Sequence, residues 1–208
     1  FPVTLTYGSV AFVAAVVAGV SLGVMAAIFH NTWLDYLAVG ISIGAQVLPN
    51  FVMAPLLLLT FTWWLGWLPG GGWEGGKWQY MVMPVIALST SYMASIARLT
   101  RASMLEVLTS NHLRTARAKG LNGRLVIAWH ALPNALLPVI TLSGVLMGLV
   151  LAGSAPVERA FATPGLGFAM FIAVSERDIF VMQNLVFLYA AVFVLINIAI
   201  DVAIAFLD

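Results

Sequence analysis

Polar and charged positions divide the 208 residues into apolar blocks far longer than the core-facing stripe of a soluble helix requires. A helix that crosses a bilayer needs about 20 predominantly apolar residues, and five stretches of the chain supply them. The first is 8–29, in which Ser9 and Ser21 are the only clearly polar side chains. The second lies within 37–68, which is too long for one upright helix; Pro49 and Pro55 place the span proper at 50–67 and make the portion before it an interfacial or bent segment. The third, fourth and fifth are 78–97, 134–151 and 179–200. Five crossings leave the two chain ends on opposite sides of the membrane.

Composition strengthens this picture. Hydrophobic residues make up 62% of the chain and charged ones 8%, against about 25% charged in an ordinary soluble domain. A net charge of +1 excludes a nucleic-acid surface, which needs a concentrated excess of Lys and Arg. The absence of cysteine excludes disulfides, thiolate metal sites and cysteine nucleophiles. The start at Phe1-Pro2 has no initiating Met and no basic leader, so the expectation is a piece of a longer protein.

Charge then sets orientation. Arg98, Arg101, Arg114, Arg117, Lys119 and Arg124 are six of the nine Lys and Arg residues, all inside 98–133. Basic residues near span ends are retained in the cytoplasm, so this segment is expected inside, with Lys77, Arg159, Arg177 and Phe1 outside and Asp208 inside. Trp63, Trp64, Trp67, Trp73 and Trp78 then form an outer interfacial belt around the glycine-rich 70–76. Gly19, Gly23 and Ala27, and likewise Gly144, Gly148 and Ala152, are small-residue stripes that favour close helix packing over a specific dimer. Pro84 and Pro138 remove backbone donors inside spans and predict bends.

Within the basic segment, Ser110-Asn111 offers an N-cap, 112–119 forms about two helical turns, and Gly120 closes them. Arg114 and Arg117 share one face of that helix, whereas Ala116 and Gly120 make a small-residue face suited to docking in a groove. From charge alone, this segment would be a topogenic loop and nothing more.

The spacing of this segment resembles the cytoplasmic EAA loop of binding-protein-dependent ABC importer permeases: Glu-Ala-Ala, three residues, Gly, nine residues, Ile-x-Leu-Pro. Here it falls on Arg114-Thr115-Ala116, Gly120 and His130-Ala131-Leu132-Pro133, with departures at Arg114, Thr115 and His130. The run Arg114 to Leu121 followed by His130-Ala131-Leu132 is similar to the dipeptide, oligopeptide and nickel permease subfamily. Further matches are 98–108, the stretch 157–167, Arg177-Asp178, and Asn197, Asp201 and Leu207-Asp208 near the end. Pro133 departs from the subfamily, where a basic residue commonly stands.

The resemblance implies an all-α membrane protein of the type I ABC importer permease fold, a single permease domain over 1–208 with five of six transmembrane helices, the N-terminal helix and an external segment lying before this chain. It implies a bacterial or archaeal cytoplasmic membrane, a peptide or related small solute as cargo, and four kinds of partner: a second homologous permease, two ATPase subunits, an external substrate-binding protein and membrane lipid. The coupling helix contacting an ATPase would comprise Arg114, Thr115, Ala116, Arg117, Lys119, Gly120 and Leu121. Glu158, Phe161, Pro164, Gly165 and Gly167 would belong to an external loop near the binding protein or the substrate cavity, a cluster that could otherwise be a tight turn. No cofactor is expected in this chain; ATP and Mg would sit in the ATPase subunits, and no catalytic residue is assigned.

Other patterns carry less. The sequence 71–77 fits G-x-x-x-x-G-K superficially, but Trp78 replaces the magnesium-binding hydroxyl. His30, His112 and His130 lack metal-ligand spacing and read as interfacial side chains. Glu176-Arg177-Asp178 reads as a solvated turn, Asp201 as reaching water or a partner, and Gln183, Asn184 and Asn197 as bridging helices. The alternatives to an importer subunit are a stand-alone carrier, which would need ionisable residues inside the spans, and a non-transporting assembly subunit.

Overall fold

A computed structural model describes residues 1–205, except the side chains at 117, 124, 151, 152, 200, 201 and 203–205. The apolar blocks become helices: α1 (Pro2–Ile28), α2 (Trp33–Val47), α3 (Asn50–Leu57), α4 (Trp78–Leu108), α5 (Asn111–Ala118), α6 (Gly123–Leu125), α7 (Leu132–Ala152), α8 (Ala155–Ala160), α9 (Leu166–Glu176) and α10 (Ile179–Ala205). Four stretches are long and apolar enough to cross a membrane alone, and α2 with the helix beginning at Asn50 makes a fifth as a pair bent by 100°.

Of the two alternatives expected for the segment before Pro49, interfacial or bent, the bent one is found. The portion before Pro49 is itself helical and packs along α1 and α4 through Asp35, Ala38, Ser42 and Ala45. Beyond Pro55 the helix widens into a π stretch, Leu58–Trp64. A second π stretch, Val126–Ala131, runs straight into α7. It sits directly before Pro133, which has no N–H to donate back into the preceding turn.

Helices α1 and α4 form the centre and run parallel, since Tyr7 meets Tyr80 at one end and Gly23 meets Ala97 and Thr100 at the other. The first small-residue stripe makes this contact possible. A Cβ on Gly19 would lie 2.8 Å from Ile96, and one on Gly23 would lie 2.5 Å from the Ala97 carbonyl oxygen. Gly148 of α7 is likewise covered by the Phe193 ring of α10. Helix α4 stays continuous through Pro84. That proline leaves the Tyr80 carbonyl without its helical donor, and the Tyr7 hydroxyl donates to it at 3.4 Å.

The long helices end in two chemically different regions. At the basic end, α5 and the chain before α7 close over the ends of α1 and α4. At the tryptophan-rich end, 70–77, α8 and α9 do so. In the most apolar window of α10 no residue is buried within the subunit, and Phe180, Phe187 and Leu195 are exposed. That face is available to lipid or to another subunit.

Candidate functional site

The basic end is built from α4 outward. Helix α4 does not stop at Ala97, where its apolar run ends, but continues for three more turns to Leu108. The Ser110 hydroxyl, expected to cap the next helix, donates instead to the Val107 carbonyl at the close of α4. Helix α5 then runs from Asn111 to Ala118, close to the expected 112–119, and Gly120 follows with φ +77°, a conformation glycine adopts without strain.

Helix α5 is anchored by Leu113 and Ala116. Both are buried, in one cluster with Ala27 of α1, Met104 of α4, Val126, Ala131 and Ala135. Ala116 thus faces the chain's own core rather than outward, and a Cβ at Gly120 would meet nothing within 4 Å, so the two do not form one small docking face. The outward face is instead Asn111, His112, Arg114, Thr115, Ala118 and Lys119, with Leu121 exposed beyond it. The Arg117 side chain lies outside the described residues, as do those of Arg124, Asp201 and Leu207-Asp208. The sequence signal for the inward face is the i, i+3 pair Leu113 and Ala116, apolar against a polar background.

Beside this anchor lies a buried charge that the sequence reading passed over. Asp35, at the start of α2, is 2% exposed. Arg101 donates to it twice, from Nε to Oδ1 at 2.7 Å and from Nη2 to Oδ2 at 2.8 Å. The Asn31 N–H donates to Oδ2 at 3.0 Å, and His30 Nδ1 lies 3.0 Å from the same oxygen. The signal was a lone acid at the head of a long apolar run, a residue costly near hydrocarbon unless paired.

The tryptophan-rich end is also more structured than a loop. Helix α9 begins with backbone N–H groups that have no intrahelical acceptor. Side chains from two other helices accept them: Thr4 Oγ1 takes Leu166 N–H at 2.8 Å, and Glu158 Oε2 takes Gly167 and Phe168 N–H at 2.8 and 3.1 Å. Glycine is required at 167 because a Cβ there would overlap Ala155 Cα, whereas a Cβ at 165 would displace the Glu158 carboxylate that caps the helix. The alternative of a simple tight turn at 164–167 is thus corrected to a helix start capped from α1 and α8. Of the five residues expected to face a binding protein, Glu158, Phe161, Gly165 and Gly167 are buried and Pro164 alone is exposed. Arg159, next to them, is exposed, with its guanidinium 4.4 Å from the Phe171 ring centroid.

The glycine-rich segment is fixed to α8: the Gly72 N–H donates to the Phe161 carbonyl at 2.8 Å, and a Cβ on Gly71 would collide with that oxygen. Lys77 pairs with Glu74 at 2.8 Å, and the Lys77 ammonium holds the Glu74 carboxyl below its usual range. Trp63, Trp64, Trp67 and Trp78 are exposed as a belt requires, whereas Trp73 is half-buried edge-on against Tyr7. A second set, Trp33, Tyr36 and Trp129, is exposed at the basic end. Arg177 takes a left-handed conformation to end α9, and Asp178 accepts the Val181 N–H at the start of α10. Asn184 and Asn197 donate to carbonyls within α10, at Phe180 and Phe193, rather than bridging helices.

Comparison with known proteins agrees with this architecture. Residues 19–208 match the family described as binding-protein-dependent transport system inner membrane component. The oligopeptide transport system permease protein of Salmonella typhimurium is 46% identical over 208 residues, 100% of this chain and 68% of that protein. The dipeptide transport system permease protein of Bacillus subtilis is 41% identical, over 100% of this chain and 67% of that one. Among solved structures, inward-facing MetNI methionine ABC transporter matches with a TM-score of 0.80 at 18% identity, over 99% of this chain and 93% of that one. The fold is therefore that of a type I ABC importer permease. Together, the matched family, the relatives and the capped bundle of apolar helices place the chain in the binding-protein-dependent transport system inner membrane component family, as a transmembrane permease subunit of an ABC importer.

Proposed function

We propose that this subunit moves peptides or a related small solute, and that α5 is its coupling helix. The residue pattern of 98–133 and the positive-inside rule support placing the basic end in the cytoplasm. There α5 would sit in a cleft of one ATPase subunit, which binds ATP and Mg. A second homologous permease would pair with this one, a second ATPase would serve it, and an external binding protein would deliver cargo to the tryptophan-rich end near Pro164.

The observation that carries this reading is the division of α5 into two faces. Leu113 and Ala116 bind it to the ends of α1, α4 and α7, while Arg114, Thr115, Ala118 and Lys119 point away from the chain. A short helix held this way can pass a displacement to the spans, and ATP-driven closure of the ATPases would rock them between inward- and outward-facing arrangements.

Ala118→Trp and Ala116→Asp separate the two faces. In the full complex reconstituted in vesicles, Ala118→Trp is expected to leave the subunit in the membrane while uncoupling peptide uptake from ATP hydrolysis. Ala116→Asp buries an unpaired carboxylate and is expected to lower the amount of folded subunit. Normal coupled uptake by Ala118→Trp would contradict the assignment of α5.

A further inference from the structure

We propose that the Asp35–Arg101 ion pair is a mechanical tie that makes α2 move with α4, so that a displacement of α5 reaches the bent second span. The proposal rests on reading α5 as the helix that meets the ATPase.

The geometry is that of a fixed joint. Arg101 supplies two N–H groups to two different carboxylate oxygens, at 2.7 and 2.8 Å, so the pair resists rotation as well as separation. Asp35 Oδ2 also accepts the Asn31 N–H, and His30 Nδ1 lies 3.0 Å from that oxygen and 3.2 Å from Arg101 Nη2. Asn31 adopts φ +62° in the turn between α1 and α2. A topogenic arginine needs only to lie near the membrane boundary; it does not need a carboxylate that is 2% exposed.

Apart from this pair, α2 meets α4 through small side chains, and the next polar link is beyond Pro49, where the Ser91 hydroxyl of α4 donates to Asn50 Oδ1 at 2.9 Å. The other buried residues of α2 are Ala38, Ser42 and Ala45, all small. A narrow gap lined by Gly23, Ala38, Ser42 and Ala97 opens beside them. Small, smooth side chains allow one helix to slide past another, and an ion pair at the end of that contact stops it.

Arg101 is also in the right place to transmit. Met104, one turn further along α4, packs in the cluster that anchors Leu113 and Ala116 of α5. In the other direction α2 leads through Pro49 into α3, whose Ala54 and Leu57 pack with Tyr7, Ala11, Met83 and Ala87 far from the basic end. The pair thus adds a charged link between the cluster that holds the short helix and the second span.

The test uses the full-length subunit in its complete complex, with peptide uptake and ATP hydrolysis measured on the same vesicles. Asp35→Asn and Arg101→Gln are each expected to lower uptake per ATP about tenfold in complexes that retain all subunits, and the double variant is expected to lose no more than either single. Losses that multiply, or uptake per ATP that stays normal, would overturn the tie. A second readout is the distance between spin labels on cysteines placed at the exposed Tyr36 and Glu106 positions, this stretch of chain having no cysteine of its own. With Asp35 present the distance should be the same in nucleotide-free and ATP-trapped complexes, and in the Asp35→Asn variant it should differ between them. A distance that changes between states while Asp35 is present overturns the tie, and this comparison alone decides if neither single variant assembles. Ala118→Trp, run alongside, isolates the underlying reading: normal coupling there removes α5 as the ATPase contact, whereas uncoupling there with normal Asp35→Asn removes only the tie.

Discussion

Two buried carboxylates, one at each end of the bundle, are held in different ways, and of the Glu158 oxygens only Oε2 has hydrogen-bond partners. Asp35 is met by a guanidinium 66 residues away in sequence, whereas Glu158 is met by two backbone N–H groups nine and ten residues on. The first joins separate helices, α2 to α4, through charge. The second completes the start of the nearby α9, where the amide dipoles supply the positive end. A buried acid in this fold therefore does not have one meaning. At the basic end it joins two separate helices, and at the tryptophan-rich end it completes the start of one.

The comparison can be broken by substitution, read as the thermal midpoint and yield of the detergent-solubilised subunit. The largest effect is expected from Gly167→Leu: a side chain there would overlap the Ala155 backbone, so α8 and α9 cannot pack and folded subunit should be lost. Asp35→Ala comes next, at about 3 kcal/mol, because it leaves a partly buried guanidinium without its partner. Glu158→Gln keeps one acceptor oxygen for the α9 N–H groups while removing the charge, and about 1 kcal/mol is expected. A cost as large as that of Asp35→Ala would mean that the charge of Glu158, not its hydrogen bonding, is what the site requires. Lys77→Ala should produce no measurable shift, since its pair with Glu74 is exposed on both sides.

Much of the bundle was legible in the sequence because hydrocarbon imposes a simple rule: long apolar runs become helices. The stripe Gly19, Gly23 and Ala27 was readable for the same reason, since only small residues let two backbones approach. The second span was less legible. Pro49 marked a break, but nothing local says that the chain before it packs along α1 and α4 instead of lying flat. Helix α9 was hidden because its start depends on Thr4, 162 residues away in sequence, and on Glu158 of the preceding helix. At the candidate coupling helix, the boundaries followed from Gly120 and the spacing. The direction Ala116 faces did not, because a small residue fits equally well against a partner or against Met104 and Val126 of the chain itself.

The two faces of α5 can be separated most directly by cross-linking. In the assembled complex, a single cysteine at Ala118, treated with a short thiol-to-amine linker, is expected to join this subunit to an ATPase subunit, and a cysteine at Ala116 is expected to stay unreactive. Cross-linking from position 116 with none from 118, or none to an ATPase from either, would contradict the account of α5 as the outward-facing coupling helix.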